Sequence, residues 1–235
     1  MKLIVVRHGQ TPWNTKSKLQ GREADRIYFN ELDKKGRDQA RKLARTLKES
    51  GENIDLIISS PLKRAKGTAK IIKRKLKIKN LIYDSRLKDR GYGEFSGTTR
   101  HDFGGKGYSY KDFWDYNKNI VYPNGAENIK EFEARIKDFI DDCYKNYPDK
   151  TILLVVHVSG TKMINCLVGT GIPENGIISG NGLNNGGIAK YTVNMPTKRE
   201  EFMDRIHEED EHRKVNLGRK ANGRGIIRKH RNREK

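Results

Sequence analysis

Three short, mostly apolar runs constrain the fold of this chain more than any other feature. They occupy residues 3–6, 54–58 and 151–156, and each run stops abruptly at polar residues. Runs of this length are typical of strands that are buried on both faces of a parallel sheet. Parallel strands need a crossover connection, which is usually a helix. We therefore predict an α/β fold with three layers (αβα), in which helices cover both faces of a mostly parallel central sheet.

The segments between these runs carry helical periodicity, because their apolar residues recur three or four positions apart. The predicted helices span residues 32–50, 61–76 and 127–147, with a further helix that begins at Ser159. The remaining predicted strands are residues 80–83, 182–183 and 188–193, the last two joined by an Asn-Asn-Gly-Gly turn. The aromatic-rich segment 98–125 is expected to pack over the core rather than to contact a ligand.

The positive charge of the chain is concentrated at its C-terminal end. The net charge is +19, and residues 213–235 alone hold ten Lys or Arg and one acid. We predict a folded domain over 1–199, an acidic connecting segment over 200–212 and a basic, flexible tail over 213–235. The tail is either a solvated extension, which we favour, or a contact for a polyanion such as nucleic acid. A second cationic stretch, 63–79, is interpreted as the solvent-facing side of a helix.

Several classes of protein are disfavoured by the composition. The apolar runs are far too short to span a bilayer, and the N-terminus lacks a signal-peptide pattern. The two cysteines, Cys143 and Cys166, provide neither a disulfide framework nor a metal cluster. We expect a cytoplasmic protein without a membrane span, and the sequence leaves its oligomeric state open.

Polar clusters follow three of the predicted strands. Arg7-His8-Gly9 follows the first strand, Ser59-Ser60-Pro61 leads from the second to Arg64, and His157-Val158-Ser159 follows the fourth. The carboxyl ends of parallel strands lie at one edge of a sheet, where open α/β sheets bind ligands. Two arginines and two histidines at one point repel one another unless an anion lies between them. Phosphate suits this cluster, because an imidazole can accept a phosphoryl group while guanidinium groups bind its oxygens.

These clusters, with the residues around them, resemble the histidine phosphatase superfamily, which is also called phosphoglycerate mutase-like. The resemblance covers most of residues 1–195. The matching motifs are Arg7-His8-Gly9-Gln10-Thr11, Leu19-Gln20-Gly21, Ser59-Ser60-Pro61-Leu62-Lys63-Arg64-Ala65, Arg86-Leu87-Lys88-Asp89, Gly125-Ala126-Glu127-Asn128 and His157.

The resemblance implies a role for each matching residue. His8 is expected to be the nucleophile that becomes phosphohistidine, and Asp89 the general acid. The groups expected to hold the phosphate and to stabilise the charge of the transferring group are Arg7, Arg64 and His157. Further expected contacts to the substrate are Asn14, Gln20, Gly21 and Val158. No metal and no other cofactor is implied, since the arginines supply the positive charge.

Two positions depart from the pattern of the family. Asp89 stands where the family usually has glutamate, so its carboxyl group is one methylene closer to the backbone; Glu94 is the reserve candidate for the general acid. Val158 stands where the family commonly has glycine after the histidine. Valine resists a positive φ, although its N–H can still donate a hydrogen bond.

The resulting hypothesis is a metal-independent phosphomonoesterase that hydrolyses small phosphorylated metabolites through a phosphohistidine intermediate. A phosphoglycerate mutase is the nearest alternative. The segment between Gly97 and Glu127 favours hydrolysis, because the resemblance implies a longer, arginine-richer insertion there in a mutase. The second alternative is a catalytically weak protein that binds phosphate or a polyanion on the same scaffold.

Overall fold

The computed structural model describes residues 1–27, 30–102, 107–122, 125–178 and 182–194. A five-stranded sheet lies at the centre of this part of the chain, in the order β3-β2-β4-β1-β5. The strands are β1 (Lys2–Arg7), β2 (Leu56–Ser59), β3 (Asn80–Tyr83), β4 (Thr151–Val156) and β5 (Ile188–Thr192). β1 to β4 run parallel, and β5 pairs antiparallel with β1. The predicted three-layer α/β fold with a mostly parallel sheet is confirmed.

Six α-helices connect these strands in the described residues. They are α1 (Pro12–Thr15), α2 (Ala24–Ile27), α3 (Lys34–Glu49), α4 (Lys63–Leu76), α5 (Ile129–Asn146) and α6 (Val158–Asn165). Asp33 caps α3 by accepting a hydrogen bond from the N–H of Gly36 at 2.7 Å, and Asn128 caps α5 in the same way. Short 3₁₀ turns span Ser85–Leu87, Gly93–Phe95 and Asp112–Trp114. No described helix has both the length and the apolar character needed to cross a membrane.

The core is formed where α3 and α4 pack side by side on one face of the sheet. Alternate residues of the central strands point to this face, among them Ile4 and Val6 on β1 and Val155 on β4. They contact the apolar stripes of the two helices, which include Leu47 and Ile72. The intervening strand residues are also buried, as expected for a sheet that is covered on both faces.

The topology creates a crevice between β1 and β4. These strands are neighbours in the sheet, but the chain continues in different directions after each of them. After β1 it leads to α3, and after β4 it enters α6, which is not part of the cluster formed by α3 and α4. Such a place is called a topological switch point. Ligands bind at such switch points, outside the carboxyl ends of the strands. The polar residues that follow β1 and β4 are therefore placed at the position where α/β sheets recognise ligands.

Two predictions about the last part of the domain need correction or lie beyond the described residues. Residues 182–183 do not form a strand; the carbonyl of Leu183 instead accepts a hydrogen bond from Arg7. The predicted acidic segment 200–212 and basic tail 213–235 lie outside the described residues. In the aromatic segment Phe113, Trp114, Tyr116 and Tyr122 are buried as expected, whereas Tyr110 is only partly buried and lines the same cavity as His8.

Candidate active site

The two histidines lie side by side because they follow neighbouring strands in register. Arg7 of β1 is paired with Val156 of β4, and the N–H of His8 donates to the carbonyl of Val156 at 3.0 Å. This pairing brings the imidazole of His8 next to that of His157. The ring centroids are 5.1 Å apart and the rings are tilted by 57°. Both side chains are buried, and His8 lines a cavity of about 410 Å³.

His8 is held as a neutral base with one defined free nitrogen. Its Nδ1 lies 2.7 Å from the carbonyl oxygen of Gly9, so Nδ1 carries the proton and Nε2 keeps its lone pair. Burial above all, followed by electrostatic interaction with His157 and with the charges of Arg64 and Arg7, holds the pKa of His8 well below its ordinary value of 6.5. The imidazole is therefore unprotonated at neutral pH, which is the form that can attack phosphorus.

The loop after β1 is fixed by a close approach of two backbones. A Cβ atom on Gly9 would lie 2.3 Å from the carbonyl oxygen of Gly36, and one on Gly36 would lie 2.0 Å from that of Gln10. Only glycine at both positions permits this contact. The N–H of Gly9 also donates to the hydroxyl of Thr68 on α4 at 3.1 Å. His8 is thus placed by a rigid turn that is pressed against α3 and α4.

His157 is neutral for the same reasons as His8. Its Nε2 lies 2.8 Å from the hydroxyl oxygen of Ser60, and its Nδ1 lies 3.8 Å from the Oδ2 of Asp89. Burial, followed by the charges of Arg64 and Arg7, lowers the pKa of His157 well below 6.5. The next residue, Val158, begins α6 and lines the cavity, and it does not have a positive φ. The valine therefore fits this position without backbone strain.

Two arginines lie near the histidines and carry buried donors that are unpartnered in the described part of the chain. Arg64, fully buried in the first turn of α4, donates through Nη2 to the carbonyl of Gly21 at 2.9 Å and to Asp89 Oδ2 at 3.0 Å. Arg7 donates through Nη1 to the carbonyl of Leu183 at 3.0 Å, and burial lowers its pKa. The Nε atoms of both arginines are buried and have no hydrogen-bond partner among the described residues. Anionic oxygens are the partners that such orphaned donors need.

Asp89 lies inside the site and is bound from two sides. Its Oδ2 accepts from Arg64, and its Oδ1 accepts from the hydroxyl of Ser159 and from the N–H of Arg90, the latter at 3.1 Å. The carboxyl group is nearly buried and lines the cavity beside His8. Glu94, in contrast, is exposed and does not line the cavity. The geometry thus favours Asp89 over Glu94 as a proton donor.

The remaining predicted contacts shape the wall of the cavity. Asn14 lines it, and its Oδ1 accepts from the N–H of Thr11 at 3.0 Å and from the side chain of Asn185 at 3.2 Å. Gln20 also lines it, and its Oε1 accepts from the side chain of Asn30 at 2.8 Å. Gly21 does not line the cavity. It has a φ of +61°, and its carbonyl accepts a hydrogen bond from Arg64. The exposed part of the cavity is lined by Lys18, Arg100 and His101.

Sequence reasoning missed the residues that support the loop of Asp89. Arg135 on α5 donates to the carbonyl of Asp89 at 3.1 Å and to Glu127 Oε2 at 2.9 Å. Arg90 is fully buried, lies 3.4 Å from the ring centroid of Phe113, and has its pKa lowered to about 10 by burial. The adjacency of Arg90 to Asp89 was the only sequence signal for either arginine. Both arginines hold the backbone around Asp89 in place, Arg135 by binding its carbonyl and Arg90 by binding the carbonyl of Glu127.

The arrangement is suited to transfer of a phosphoryl group without a metal ion. A neutral imidazole, the guanidinium of Arg7 and the carboxyl group of Asp89 line one cavity, and Arg64 is bonded to that carboxyl group. Among the described residues no group of three or more His, Cys, Asp or Glu could hold a metal ion. Arg7 and Arg64 place positive charge at this site, and charge of this kind can stabilise a transferring phosphoryl group.

Known proteins of similar sequence and structure match most of this chain. The model of the histidine phosphatase superfamily (branch 1) matches residues 3–195. An uncharacterised phosphatase, PhoE, of Bacillus subtilis is 32% identical over 172 residues, which are 73% of this chain and 79% of that protein. A 2,3-bisphosphoglycerate-dependent phosphoglycerate mutase of Bartonella bacilliformis is 31% identical over 161 residues, or 66% of this chain and 75% of the mutase. A phosphoserine phosphatase variant of Entamoeba histolytica, solved with phosphoserine, superimposes with a TM-score of 0.69 at 27% identity, covering 83% of this chain and 92% of that one.

Proposed function

Because the chain belongs to the histidine phosphatase superfamily, we propose that it hydrolyses small phosphorylated metabolites, without a metal ion, through a phosphohistidine on His8. One observation carries the proposal. His8, with a free Nε2 and a depressed pKa, lines a cavity together with Arg7 and Asp89, and the buried Arg64 is bonded to that Asp89. The phosphatases among the similar proteins support hydrolysis as the reaction.

The proposed first step forms a bond between Nε2 of His8 and phosphorus while the ester P–O bond breaks. The guanidinium groups of Arg7 and Arg64 bind the equatorial oxygens, on which charge develops. The leaving oxygen takes a proton from the carboxyl group of Asp89. The Nδ1 of His157 has no hydrogen-bond partner among the described residues and donates to a phosphoryl oxygen beside His8, while Ser60 binds its Nε2.

The second step releases inorganic phosphate and restores the enzyme. Water attacks the phosphohistidine, the P–N bond breaks, and the electron pair returns to Nε2 of His8. The carboxylate of Asp89 accepts a proton from the attacking water, which returns Asp89 to its starting state. Asn14, Gln20 and Val158 line the cavity and contact the rest of the substrate.

The test is a screen of phosphorylated metabolites that follows release of inorganic phosphate, with His8→Ala as the control. We expect turnover that is abolished in His8→Ala, together with a phosphohistidine that is detected at His8 by mass spectrometry after rapid quenching. Turnover that persists in His8→Ala would refute the assigned nucleophile. Binding of phosphate esters with no turnover of any of them would favour the alternative of a weak, phosphate-binding relative.

A phosphoglycerate mutase is the second candidate, because a mutase is among the similar proteins. Hydrolysis is favoured by the short connection between Gly97 and Glu127, in which the cations are Arg100, Lys106, Lys111 and Lys118. The two activities are separated by incubation with 3-phosphoglycerate and 2,3-bisphosphoglycerate. A change in the ratio of phosphoglycerate isomers without free phosphate indicates the mutase, and free phosphate indicates the phosphatase.

We also propose a cytoplasmic location, because the chain has only two cysteines and both are free thiols, as is usual in a reducing compartment. For residues 213–235, which lie outside the described residues, a solvated extension stays the favoured interpretation, and contact with a polyanion is the alternative that their charge allows.

A further inference from the structure

The surface formed by α3 and α4 is far more basic than the rest of the described domain. Residues 63–79 contain nine Lys or Arg and no acid, and only Arg64 of these nine is buried. Residues 34–48 contain seven Lys or Arg and one acid, Asp38, which is paired with Arg41. The two helices pack against each other on one face of the sheet, so their outward cations form one continuous surface.

The cations converge at a shallow cavity between the two helices. This cavity has a volume of about 260 Å³, and its charged lining consists of Arg37, Lys63, Lys66, Lys70 and a single acid, Glu31. The Nζ of Lys66 lies 4.8 Å from the ring centroid of Tyr83, on the edge strand beside it. No ion pair joins Lys66 or Lys70 to a carboxylate in the described part of the chain.

The lysines of α4 form a row along one face of the helix. Lys63, Lys66, Lys70 and Lys73 are three or four residues apart, so they share one side of the helix, and Lys77 continues the row at its C-cap. A helix of this length extends about 21 Å, which places one cation every ~5 Å along it. Like charges at this spacing destabilise a helix, and a polymer of negative charges removes that repulsion.

We propose that the surface of α3 and α4 binds a nucleic-acid duplex through its phosphate backbone, without reading the base sequence. The apolar side of α4, including Ala65, Ala69 and Ile72, is buried in the core, so it cannot insert into a lipid bilayer. Single-stranded nucleic acid is bound by stacking its bases on aromatic side chains. Tyr83 is the only aromatic residue in the described segments 31–49 and 63–83, which favours a duplex.

The test measures fluorescence anisotropy of a labelled DNA duplex of about 20 base pairs at salt concentrations from about 50 to 200 mM. The full chain is compared with Arg37→Gln/Lys66→Gln/Lys70→Gln, which removes three charges from the surface. The matched control is Lys130→Gln/Lys137→Gln/Lys145→Gln on α5, which removes the same charge elsewhere. All three proteins keep the same C-terminal residues, so any difference between them belongs to the substituted helix.

We expect the surface variant to bind about tenfold or more weakly than the control variant. The slope of log K against log salt should be shallower by about 2 to 3, since each lost phosphate contact contributes about 0.9. Phosphatase turnover should be unchanged in both variants, because none of the six residues lines the active-site cavity. Equal binding by both variants, or no binding by the unsubstituted chain, would overturn the proposal. It would also be overturned if the surface variant lost binding to phosphatidylserine vesicles but kept its affinity for DNA.

Discussion

The hydrogen bond between Ser159 and Asp89 gives the most specific prediction about catalysis. Ser159 is fully buried, donates to Oδ1 of Asp89, and also accepts from the N–H of Arg90 at 3.2 Å. The side chain of aspartate is one methylene shorter than that of glutamate. We expect Ser159 to hold this shorter carboxyl group in place for proton transfer, so Ser159→Ala should slow the reaction without removing the nucleophile.

The magnitude follows from the contacts of the carboxyl group. Ser159→Ala removes one of the two donors to Oδ1, and only the N–H of Arg90 remains there. A hydrogen bond to a charged group contributes about 1.5–3 kcal/mol. If this energy is lost in the transition state, kcat falls about 10- to 150-fold, since ~1.4 kcal/mol corresponds to a factor of ten.

The assay compares substrates with different leaving groups. An alkyl phosphate needs a proton on its leaving oxygen, whereas p-nitrophenyl phosphate barely does. Ser159→Ala should therefore lower kcat for the alkyl ester much more than for the aryl ester in the phosphorylation step, with KM little changed. Ser96→Ala is the control. It removes a partly buried hydroxyl that donates to the carbonyl of Gln20 at 2.7 Å and has no bond to Asp89.

A double-mutant cycle that combines Asp89→Glu with Ser159→Ala tests whether Ser159 positions the carboxyl group. Asp89→Glu alone places an extra methylene against the Ser159 hydroxyl, and such overpacking costs about 1–3 kcal/mol. Adding Ser159→Ala makes room for the longer side chain, so the double variant should be more active than Asp89→Glu. Additive losses in the cycle, or equal losses on both leaving groups, would show that Ser159 does not position the carboxyl group.

The remaining predictions concern the nucleophile, the histidine pair and the turn after β1. His8→Ala should leave no detectable phosphohistidine and no turnover, as measured by mass spectrometry and phosphate release, while its urea-unfolding curve stays cooperative. The folded pKa values of His8 and His157 lie below those of the unfolded chain, so the unfolded state binds more protons below pH 6.5. The free energy of unfolding should therefore be fully retained above pH 6.5 and fall by about 1.4 kcal/mol per pH unit per histidine below it. Urea denaturation at several pH values should show a weaker pH dependence for His8→Asn/His157→Asn than for the unsubstituted chain. The same pH dependence in both proteins would contradict this prediction. Gly36→Ala should destabilise the fold by about 1–3 kcal/mol in urea unfolding, because its Cβ would meet the carbonyl oxygen of Gln10. Gly67→Ala on α4 should be close to neutral, since that Cβ meets only the side chain of Leu32 at 3.3 Å, and similar losses for the two glycines would argue against the close backbone approach.

Local patterns in the sequence were enough to predict the alternation of strands and helices and the proximity of His8, Arg64 and His157. The period of apolar residues is a local signal, and it reports burial of a strand or helix face wherever the element is placed. Once the strands are parallel, their carboxyl ends must share one edge, so residues that directly follow them meet there. Helix bounds came within two residues for α3, α4 and α5, and the strand at 80–83 matched β3.

The side chains that support the site could be identified only from the folded arrangement of the elements. Ser159 and Asp89 are 70 residues apart, and Arg135 and Asp89 are 46 residues apart, so their contacts depend on how α5, α6 and the Asp89 loop pack together. The same holds for the contact between Gly9 and Gly36, and for Leu183, whose carbonyl binds Arg7 rather than a neighbouring strand. A hydrogen bond between distant residues requires both partners to lie within about 3 Å, and no periodic pattern in the chain encodes that distance.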